Sequence, residues 1–298
     1  MIVIALAILF ALYASRDIIE IPSQTIWKHA WPMLKWATCN LSVVPAIIIP
    51  SPKKEGHSMT KLKRSNDRKV ANAVSPNGKT ATIANTFGLP AGKAYSCPGA
   101  TSICESICYA GKLEKLFKGV KANLLHNWDL LKNADEPTMV DLLENMIDEF
   151  IADCEKKNAP MLFRIHWDGD FFNDTYARAW QYVILNRPNV QFWVYTRVKS
   201  ATLILKNISN LSLYYSTDDE NISIATELKQ DEGIRLAYLG KTFALTESKM
   251  KEITGKVGAK CPENNKSIPL ISTNGSACVS CGLCVYGKSD IRFSSTKK

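Results

Sequence analysis

The chain has 298 residues and a formal net charge of +9. Apolar residues make up 46% and charged residues 22% of it, a balance that excludes a disordered chain and fits one sizeable domain with appendages. The positive charge favours an anionic partner such as nucleic acid, but basic residues spread along the whole chain are also typical of an ordinary solvated surface.

The chain begins with an apolar extension and continues with a basic segment. Residues 1–14 are almost unbroken in apolar character, lack a preceding basic residue and are short for a membrane span. We expect Met59 to be the natural start and residues 1–58 to be an extension, with a weak membrane anchor as the alternative. Residues 59–80 form a basic polar arm, whose densest cluster is Lys61, Lys63, Arg64, Arg68 and Lys69.

From residue 80 onward, β-branched apolar segments alternate with amphipathic ones, which predicts β–α units. The predicted strands are 82–87, 161–167, 190–196, 211–215 and 234–239, with 268–272 as a sixth. The predicted helices are 112–131, 138–156, 174–185 and 201–208. The pattern indicates an α/β fold in which residues 81–256 build a partial or complete parallel (β/α) barrel. Residues 257–298 follow as a cysteine-rich metal-binding segment.

Polar residues follow each predicted strand, where parallel β/α folds place their working side chains. A cysteine loop, residues 97–108, follows the first strand. Asp168, Gly169 and Asp170 follow the second strand, and Arg197 follows the third. These residues are candidates for a binding site, although Asp-Gly-Asp is also typical of a turn that leads into a helix cap.

Nine cysteines are distributed unevenly along the chain. Cys39 and Cys154 stand alone, and Cys154 continues the apolar stripe of a predicted helix, so we interpret it as a buried core thiol. The clustered cysteines are Cys97, Cys104, Cys108, Cys261, Cys278, Cys281 and Cys284. Disulfide frameworks are typical of short secreted chains, so clustering in a chain of this length indicates metal binding.

The C-terminal cysteines have the spacing of an iron–sulfur site. Cys278, Cys281 and Cys284 form a C-x2-C-x2-C run, and Cys261, followed by Pro262, lies apart from it. A tight run with a remote Cys-Pro resembles the ligand set of a ferredoxin-type [4Fe-4S] cluster. Zinc is the alternative metal, but its ligands usually come as two separated C-x2-C pairs.

The first cysteine group, Cys97, Cys104 and Cys108, supplies only three thiolates. Three ligands leave one coordination position open, as a catalytic metal requires. Two alternatives remain at this point: His126 could complete a structural zinc site, or both groups could serve one or two neighbouring centres.

Four segments in this order resemble the phage gene product 88 family. They are the segment from Asn85 through Tyr109, the IHWDGDFF segment, the FWVYTRV segment and the C-terminal CP and CVSCGLC motifs. The resemblance covers roughly residues 80–290 and implies a protein of a phage or mobile element without naming a reaction.

The same segments are more distantly similar to radical S-adenosylmethionine enzymes. That resemblance implies a reactive [4Fe-4S] cluster on Cys97, Cys104 and Cys108, and an auxiliary cluster on the C-terminal cysteines. It also implies that S-adenosylmethionine is bound by Asp168, Gly169 and Asp170, with Arg197 on its carboxylate. The spacing C-x6-C-x3-C departs from the usual C-x3-C-x2-C of those enzymes.

Three hypotheses about function follow. The first is a radical S-adenosylmethionine-like iron–sulfur enzyme with an unknown substrate, in the cytoplasm of the host cell. The second is a metal-stabilised nucleic-acid-binding protein that uses the basic arm and has no catalytic activity. The third is a redox or scaffold protein whose clusters only hold the fold together.

Overall fold

The computed structural model describes residues 60–74, 80–272 and 274–296. The predictions for the extension at residues 1–58, for Met59 as the start and for an anchor at residues 1–14 lie outside these ranges. Among the helices in the described ranges, none is long and apolar enough to cross a membrane.

The described residues contain eleven strands, seven of which form one sheet. The strands are β1 (Asn72–Val74), β2 (Thr80–Thr82), β3 (Thr86–Gly88), β4 (Leu162–Asp168), β5 (Gln191–Thr196), β6 (Leu211–Thr217), β7 (Arg235–Gly240), β8 (Ala259–Lys260), β9 (Ile271–Ser272), β10 (Gly275–Ser276) and β11 (Ile291–Ser294). The large sheet has the order β3-β4-β5-β6-β7-β11-β8, and each pairing in it is parallel. The predicted α/β fold with a parallel sheet is confirmed.

The sheet is open in the described part of the chain, because β3 and β8 form its two edges. The described strands therefore do not close into a complete barrel. Residues 268–272 do not supply the sixth strand of this sheet, because β9 pairs with β10 in a small antiparallel hairpin. The sixth strand is β11, which the chain reaches only after the cysteine-rich segment has crossed one face of the sheet.

Nine helices lie in the described ranges, most of them between successive strands. They are α1 (Ser102–Ile107), α2 (Tyr109–Leu116), α3 (Lys118–Leu131), α4 (Glu136–Lys157), α5 (Asp174–Leu185), α6 (Lys199–Leu205), α7 (Ile222–Glu232), α8 (Phe243–Thr254) and α9 (Ala277–Cys281). The helix predicted over 112–131 is divided into α2 and α3, because Phe117 between them has an extended backbone that cannot continue a helix.

The long helix α4 follows directly from its sequence. Asp135 caps it by accepting a hydrogen bond from the backbone N–H of Thr138, and Pro137 lies in its first turn. Its buried stripe ends at Cys154, which is 1% exposed. The interpretation of Cys154 as a core thiol is confirmed.

Strand β4 shows how the sheet divides the molecule. Phe163 and Ile165 belong to the main apolar core, which the sheet forms with the helices. Leu162 belongs to a second cluster with Trp193 and Val285, because alternate residues of a strand point to opposite faces. The helices thus cover one face of the sheet, and the stretch around Val70 together with the C-terminal cysteine segment covers the other.

Candidate functional site

Polar side chains meet at the carboxyl edge of the sheet. Asp168 is the last residue of β4 and is followed by Gly169 and Asp170, Arg197 follows β5, and Asp218 follows β6. Gly169 has a φ of +82°, and a Cβ atom there would lie 2.5 Å from the Ser96 Oγ atom. Glycine is therefore required where this turn passes the cysteine loop.

Asp170 ties two of these loops together. Its carboxylate accepts hydrogen bonds from the Thr196 hydroxyl at 2.6 Å, from the Arg197 N–H at 2.8 Å and from the Phe171 N–H at 2.8 Å. Burial raises the pKa of Asp170 to about 6, against the opposing effect of these hydrogen bonds. Both carboxylate oxygens are engaged, so Asp170 positions the loop that carries Arg197.

The cysteine loop is attached to the end of β6. Thr101 caps α1 by accepting a hydrogen bond from the Cys104 N–H, and its hydroxyl donates to Asp218 Oδ2 at 2.6 Å. The same Asp218 oxygen lies 2.8 Å from Arg197 Nη1, and Glu220 accepts a hydrogen bond from the Ser102 N–H. These contacts hold α1, and with it Cys104, beside Arg197.

Cys97, Cys104 and Cys108, here called the edge group, lie at this edge. The Cys108 Sγ atom accepts a hydrogen bond from the Gly111 N–H at 3.3 Å and so caps α2. Burial raises the pKa of all three thiols. Nearby carboxylates raise the pKa further at each thiol, whereas Arg197 lowers it at Cys104.

Asp168 lies at this edge beside the Glu114 carboxyl. Its Oδ1 atom accepts a hydrogen bond from the Gly169 N–H, and its buried Oδ2 atom accepts none from the N–H and O–H groups of the described residues, although the Glu114 carboxyl lies within hydrogen-bonding reach of the side chain. Burial, and then repulsion by Glu114, raises the pKa of Asp168 to about 8. An unpaired buried carboxylate oxygen is costly unless a ligand, proton or water engages it.

Cys261, Cys278, Cys281 and Cys284, here called the face group, line one small cavity on the face of the sheet opposite the helices. Cys278 and Cys281 lie one turn apart on α9, and Gly282 ends that helix in the left-handed conformation at a φ of +67°. The turn directs the chain back so that Cys284 reaches the same cavity. Its free volume of about 20 Å³ is about that of one water molecule.

Three residues of the sheet and the basic segment connect the face group to the fold. The Cys278 N–H donates to the Lys69 carbonyl at 3.0 Å. Arg164 lies 5.7 Å from the ring centre of Tyr195, and Tyr195 lies within electrostatic reach of Cys278 and Cys284. Arg164 also pairs with Asp67 at 2.7 Å.

Sequence reasoning missed Arg164, Asp67, Tyr195 and Glu114. Arg164 carried a signal, because it is a charged residue inside an otherwise apolar predicted strand. Nothing local to Asp67 or Glu114 indicates which distant side chain each one meets.

The donor atoms as they stand do not converge on one point. Across the described ranges, no three His, Cys, Asp or Glu side chains are arranged as the ligands of a single metal ion. The eight described cysteines are free thiols. The Nε2 atom of His126, the suggested fourth ligand of the edge group, lies 2.9 Å from the carbonyl oxygen of Lys61 in the basic segment.

The described part of the basic arm packs against the body of the protein. Lys61 pairs with Glu149, Arg64 with Asp153 at 2.5 Å, and Lys69 with Glu263 at 2.8 Å. Leu62 and Val70 are buried. Three of the five basic side chains of the cluster are thus engaged by carboxylates.

The fold and these sites define a parallel α/β protein with one cysteine group at the carboxyl edge of its sheet and another on its face. Residues 60–287 match the family model for Gene product 88. The Gene 88 proteins of Mycobacterium phage L5 and Mycobacterium phage D29 are each 52% identical to the chain, over 245 and 246 residues. Each alignment covers 80% of this chain and 100% of the relative.

The chain therefore belongs to the Gene product 88 family, as its sequence motifs indicated. No solved structure matches it. Neither the family match nor the two phage relatives support the more distant resemblance to radical S-adenosylmethionine enzymes.

Proposed function

We propose that this phage-family protein is an iron–sulfur protein whose face group holds a [4Fe-4S] cluster. One observation carries the proposal: four free thiols from two separate segments line a single small cavity. Buried cysteines do not collect in this way for packing alone, because any apolar residue fills a core equally well. Arg164 and Lys69 lie close enough to lower the pKa of Cys278, and each is also paired with a carboxylate, Asp67 and Glu263 respectively.

A cluster suits the arrangement of the sulfur atoms better than a single zinc ion does. Each cysteine of a [4Fe-4S] cluster binds a different iron atom, so the sulfurs surround the cluster instead of converging on one point. Four zinc ligands must meet tetrahedrally at about 2.3 Å from the ion. Because the cavity is about the size of one water molecule, loading a cluster requires the loop that carries Cys261 and the helix α9 to separate.

The edge group would hold a second centre, which makes the protein a candidate enzyme. Three thiolates leave a coordination position for a small molecule, and the carboxyl edge is where parallel α/β proteins place their chemistry. In the radical S-adenosylmethionine-like form of the proposal, Cys97, Cys104 and Cys108 would hold a cluster, which would supply an electron for the cleavage of S-adenosylmethionine to methionine and 5′-deoxyadenosine. The reductant is a low-potential electron donor such as dithionite, and an unidentified substrate supplies the hydrogen atom.

The residues of the edge would then have distinct roles. The Oδ2 atom of Asp168 would accept a hydrogen bond from the amino or ribose group of the cofactor, and the guanidinium of Arg197 would bind its carboxylate. Asp170 would hold Arg197 in place, since its own oxygens are occupied. Gly169 would hold the tight turn that presents Asp168, since Ser96 and Leu89 fill the space beside it.

The first test is the metal content of the full chain purified without oxygen. We expect about four irons and four sulfides per occupied centre, little zinc, and the absorption of an iron–sulfur protein. Cys278→Ser should remove the iron of the face group, Cys104→Ser that of the edge group, and Cys154→Ser, a buried cysteine outside both groups, should remove none. Stoichiometric zinc without iron, or no metal at all, would refute the iron–sulfur proposal.

The second test concerns the enzyme. Iron-loaded protein with dithionite and S-adenosylmethionine should form 5′-deoxyadenosine, and Cys104→Ser should abolish its formation. Iron-loaded protein that releases no 5′-deoxyadenosine would exclude the radical S-adenosylmethionine-like form and leave the iron–sulfur assignment intact. The host-cell cytoplasm, which keeps thiols reduced, is the compartment that this chemistry requires.

The alternative of a nucleic-acid-binding protein has less support, because carboxylates engage Lys61, Arg64 and Lys69 of the basic arm. It predicts binding of DNA or RNA that weakens steeply with salt and is retained in Cys104→Ser. Fluorescence anisotropy with labelled DNA and RNA at low salt tests it directly.

A further inference from the structure

A second cavity lies at the opposite edge of the sheet from the edge group. It has a volume of about 640 Å³ and is formed where the chain enters β7, β8 and β11. Four basic side chains and one carboxylate contribute to its lining: Lys229, Arg235, Lys256, Lys288 and Asp290. These five side chains carry a net charge of +3. We call this the basic cavity.

The one carboxylate of the basic cavity is already engaged. Asp290 accepts two hydrogen bonds from the Lys229 ammonium, at 2.8 and 3.0 Å, and one from the Leu236 N–H at 2.7 Å. The Lys229 charge is thus balanced within the fold. Asp290 has no free oxygen with which to neutralise a further cation.

The other three cations have no carboxylate partner in the part of the chain that the structure describes. Arg235 is half-buried at the start of β7, and its guanidinium lies against Gly287, where a Cβ atom would come within 2.8 Å of Arg235 Cζ. Gly287, with a φ of +59°, leaves room for this side chain. The Lys288 ammonium lies 5.5 Å from the ring centre of Tyr286.

We propose that the basic cavity binds a phosphorylated small molecule of about nucleotide size. Half-buried Arg235 and the solvent-exposed Lys256 and Lys288 surround one open concavity, and their unpaired charges create a local positive potential that attracts an anion. Arginine and lysine together suit phosphate, because arginine provides a planar fork and lysine a mobile point charge. The volume lies within the range that is typical of small-ligand pockets. The wall that carries Lys288 adjoins the face group, because the N–H groups of Gly287 and Lys288 donate to the carbonyls of Cys284 and Leu283, whereas Arg235 and Lys256 lie outside both cysteine groups.

The proposal is tested by calorimetric titration of the full chain with inorganic pyrophosphate and with ADP, at low ionic strength. We expect saturable binding of one ligand per chain. The double variant Arg235→Gln, Lys256→Gln should weaken binding by at least about tenfold. Lys229 is left unchanged, because Asp290 needs its partner.

The matched control is Lys118→Gln, Lys121→Gln, which removes the same charge from two exposed residues of α3. This control should bind both probes as the wild type does. The single variant Lys288→Gln should also weaken binding, and it covers the case in which loss of Arg235 disturbs the fold, as judged by the thermal melt.

Three results would overturn the proposal. The first is no binding of either probe at low ionic strength, and the second is an equal loss in the control and in the cavity variants. The third is binding of a 30-nucleotide single-stranded DNA without saturable binding of ADP or pyrophosphate, which would assign the charge to a nucleic acid.

Discussion

The two cysteine groups differ more in their surroundings than in their chemistry. The edge group lies among carboxylates, with Asp168, Asp170 and Asp218 close enough to raise the pKa of its thiols. The face group lies among aromatic rings and ion pairs: Cys278 is influenced by Arg164 and Lys69, which are paired with Asp67 and Glu263, and Tyr195 lies beside Cys284. An aromatic enclosure whose carboxylates are balanced by cations suits a permanent centre, whereas an acidic, loop-built edge suits an exchanging ligand.

The two cysteine groups also differ in how they are attached to the rest of the fold. The face group is held between the sheet and residues 60–74, since the Ser212 hydroxyl donates to the Val285 carbonyl and the Cys278 N–H donates to the Lys69 carbonyl. The edge group depends on the side-chain contacts of Thr101, Asp218 and Glu220, which come from loops. We therefore expect the face group to contribute mainly to stability and the edge group mainly to activity.

The largest expected effect on stability is that of Cys278→Ser. Removing one of four ligands should lower the free energy of unfolding by at least about 4 kcal/mol, because the binding energy of a structural metal centre contributes to folding. Cys104→Ser should cost less than about 1 kcal/mol. Urea unfolding of anaerobically purified protein measures both values.

Cys154→Ser is the control for this comparison. It places a hydroxyl in the apolar core without touching either group, and should cost about 1–2 kcal/mol. If Cys278→Ser costs no more than Cys154→Ser, the face group does not hold a stabilising centre and the contrast between the two groups fails.

The second largest effect on the free energy of unfolding is expected at Arg164, which lies close to Cys278 of the face group and to Tyr109, the residue after Cys108 of the edge group. Arg164→Met leaves Asp67 largely buried without its partner, and losing one member of such a pair costs about 3 kcal/mol. The double variant Asp67→Asn, Arg164→Met should recover part of that cost in the same urea experiment. Strictly additive losses would mean that the pair is not coupled.

The sequence predicted that Cys278, Cys281 and Cys284 lie together, because the information for this is local, and metal binding by the face group stays a prediction. Cys278, Cys281 and Cys284 are spaced so that a short helix and a glycine turn bring them to one cavity. Likewise, the apolar stripe that predicted residues 138–156 as a helix is present in α4. Such patterns can be predicted from one segment alone, without knowing which distant residues that segment contacts.

Local patterns could not predict which segments pack against the face of the sheet opposite the helices. Arg164 and Asp67 are 97 positions apart, and no local pattern indicates that Val70 packs against this face of the sheet. Strand β11 has four residues and β8 has two, too few for a periodic signal, so the sixth strand was assigned to residues 268–272 instead. The role of Asp170 in positioning Arg197 also depends on contacts between different loops.

A smaller effect is expected at Asp170, which supports the edge group alone. Asp170→Asn replaces one acceptor oxygen by an amide that cannot accept from the Arg197 N–H, at a cost of about 2 kcal/mol. Alkylation by iodoacetamide, followed by peptide mass spectrometry, should then be faster at Cys97 and Cys104 and unchanged at Cys278 and Cys284. Equal acceleration in both groups would show that the edge is not an independent unit.

The smallest expected effect on the free energy of unfolding is its dependence on pH through His166. This residue lies on β4 between Arg164 and Asp168, and its Nε2 atom lies 2.9 Å from the Tyr176 hydroxyl. Burial, and then the charge of Arg164, lowers the pKa of His166 to about 3 from an unfolded value of 6.5. The unfolded chain therefore binds a proton more readily, and stability is lost as the pH falls from 6.5 toward 3.

Between pH 7 and pH 5.5, His166 should contribute a loss of about 1.3 kcal/mol, because one pKa unit corresponds to about 1.4 kcal/mol. Asparagine tolerates the φ of +60° at position 166. Between pH 7 and pH 5.5, the His166→Asn variant should therefore lose about 1.3 kcal/mol less stability than the wild type. His126 is present in both proteins and cancels in the comparison. Because one strand carries contacts to both cysteine groups, acid should expose the thiols of both together in the wild type. Identical pH profiles for wild type and His166→Asn would contradict the assignment of a neutral buried imidazole.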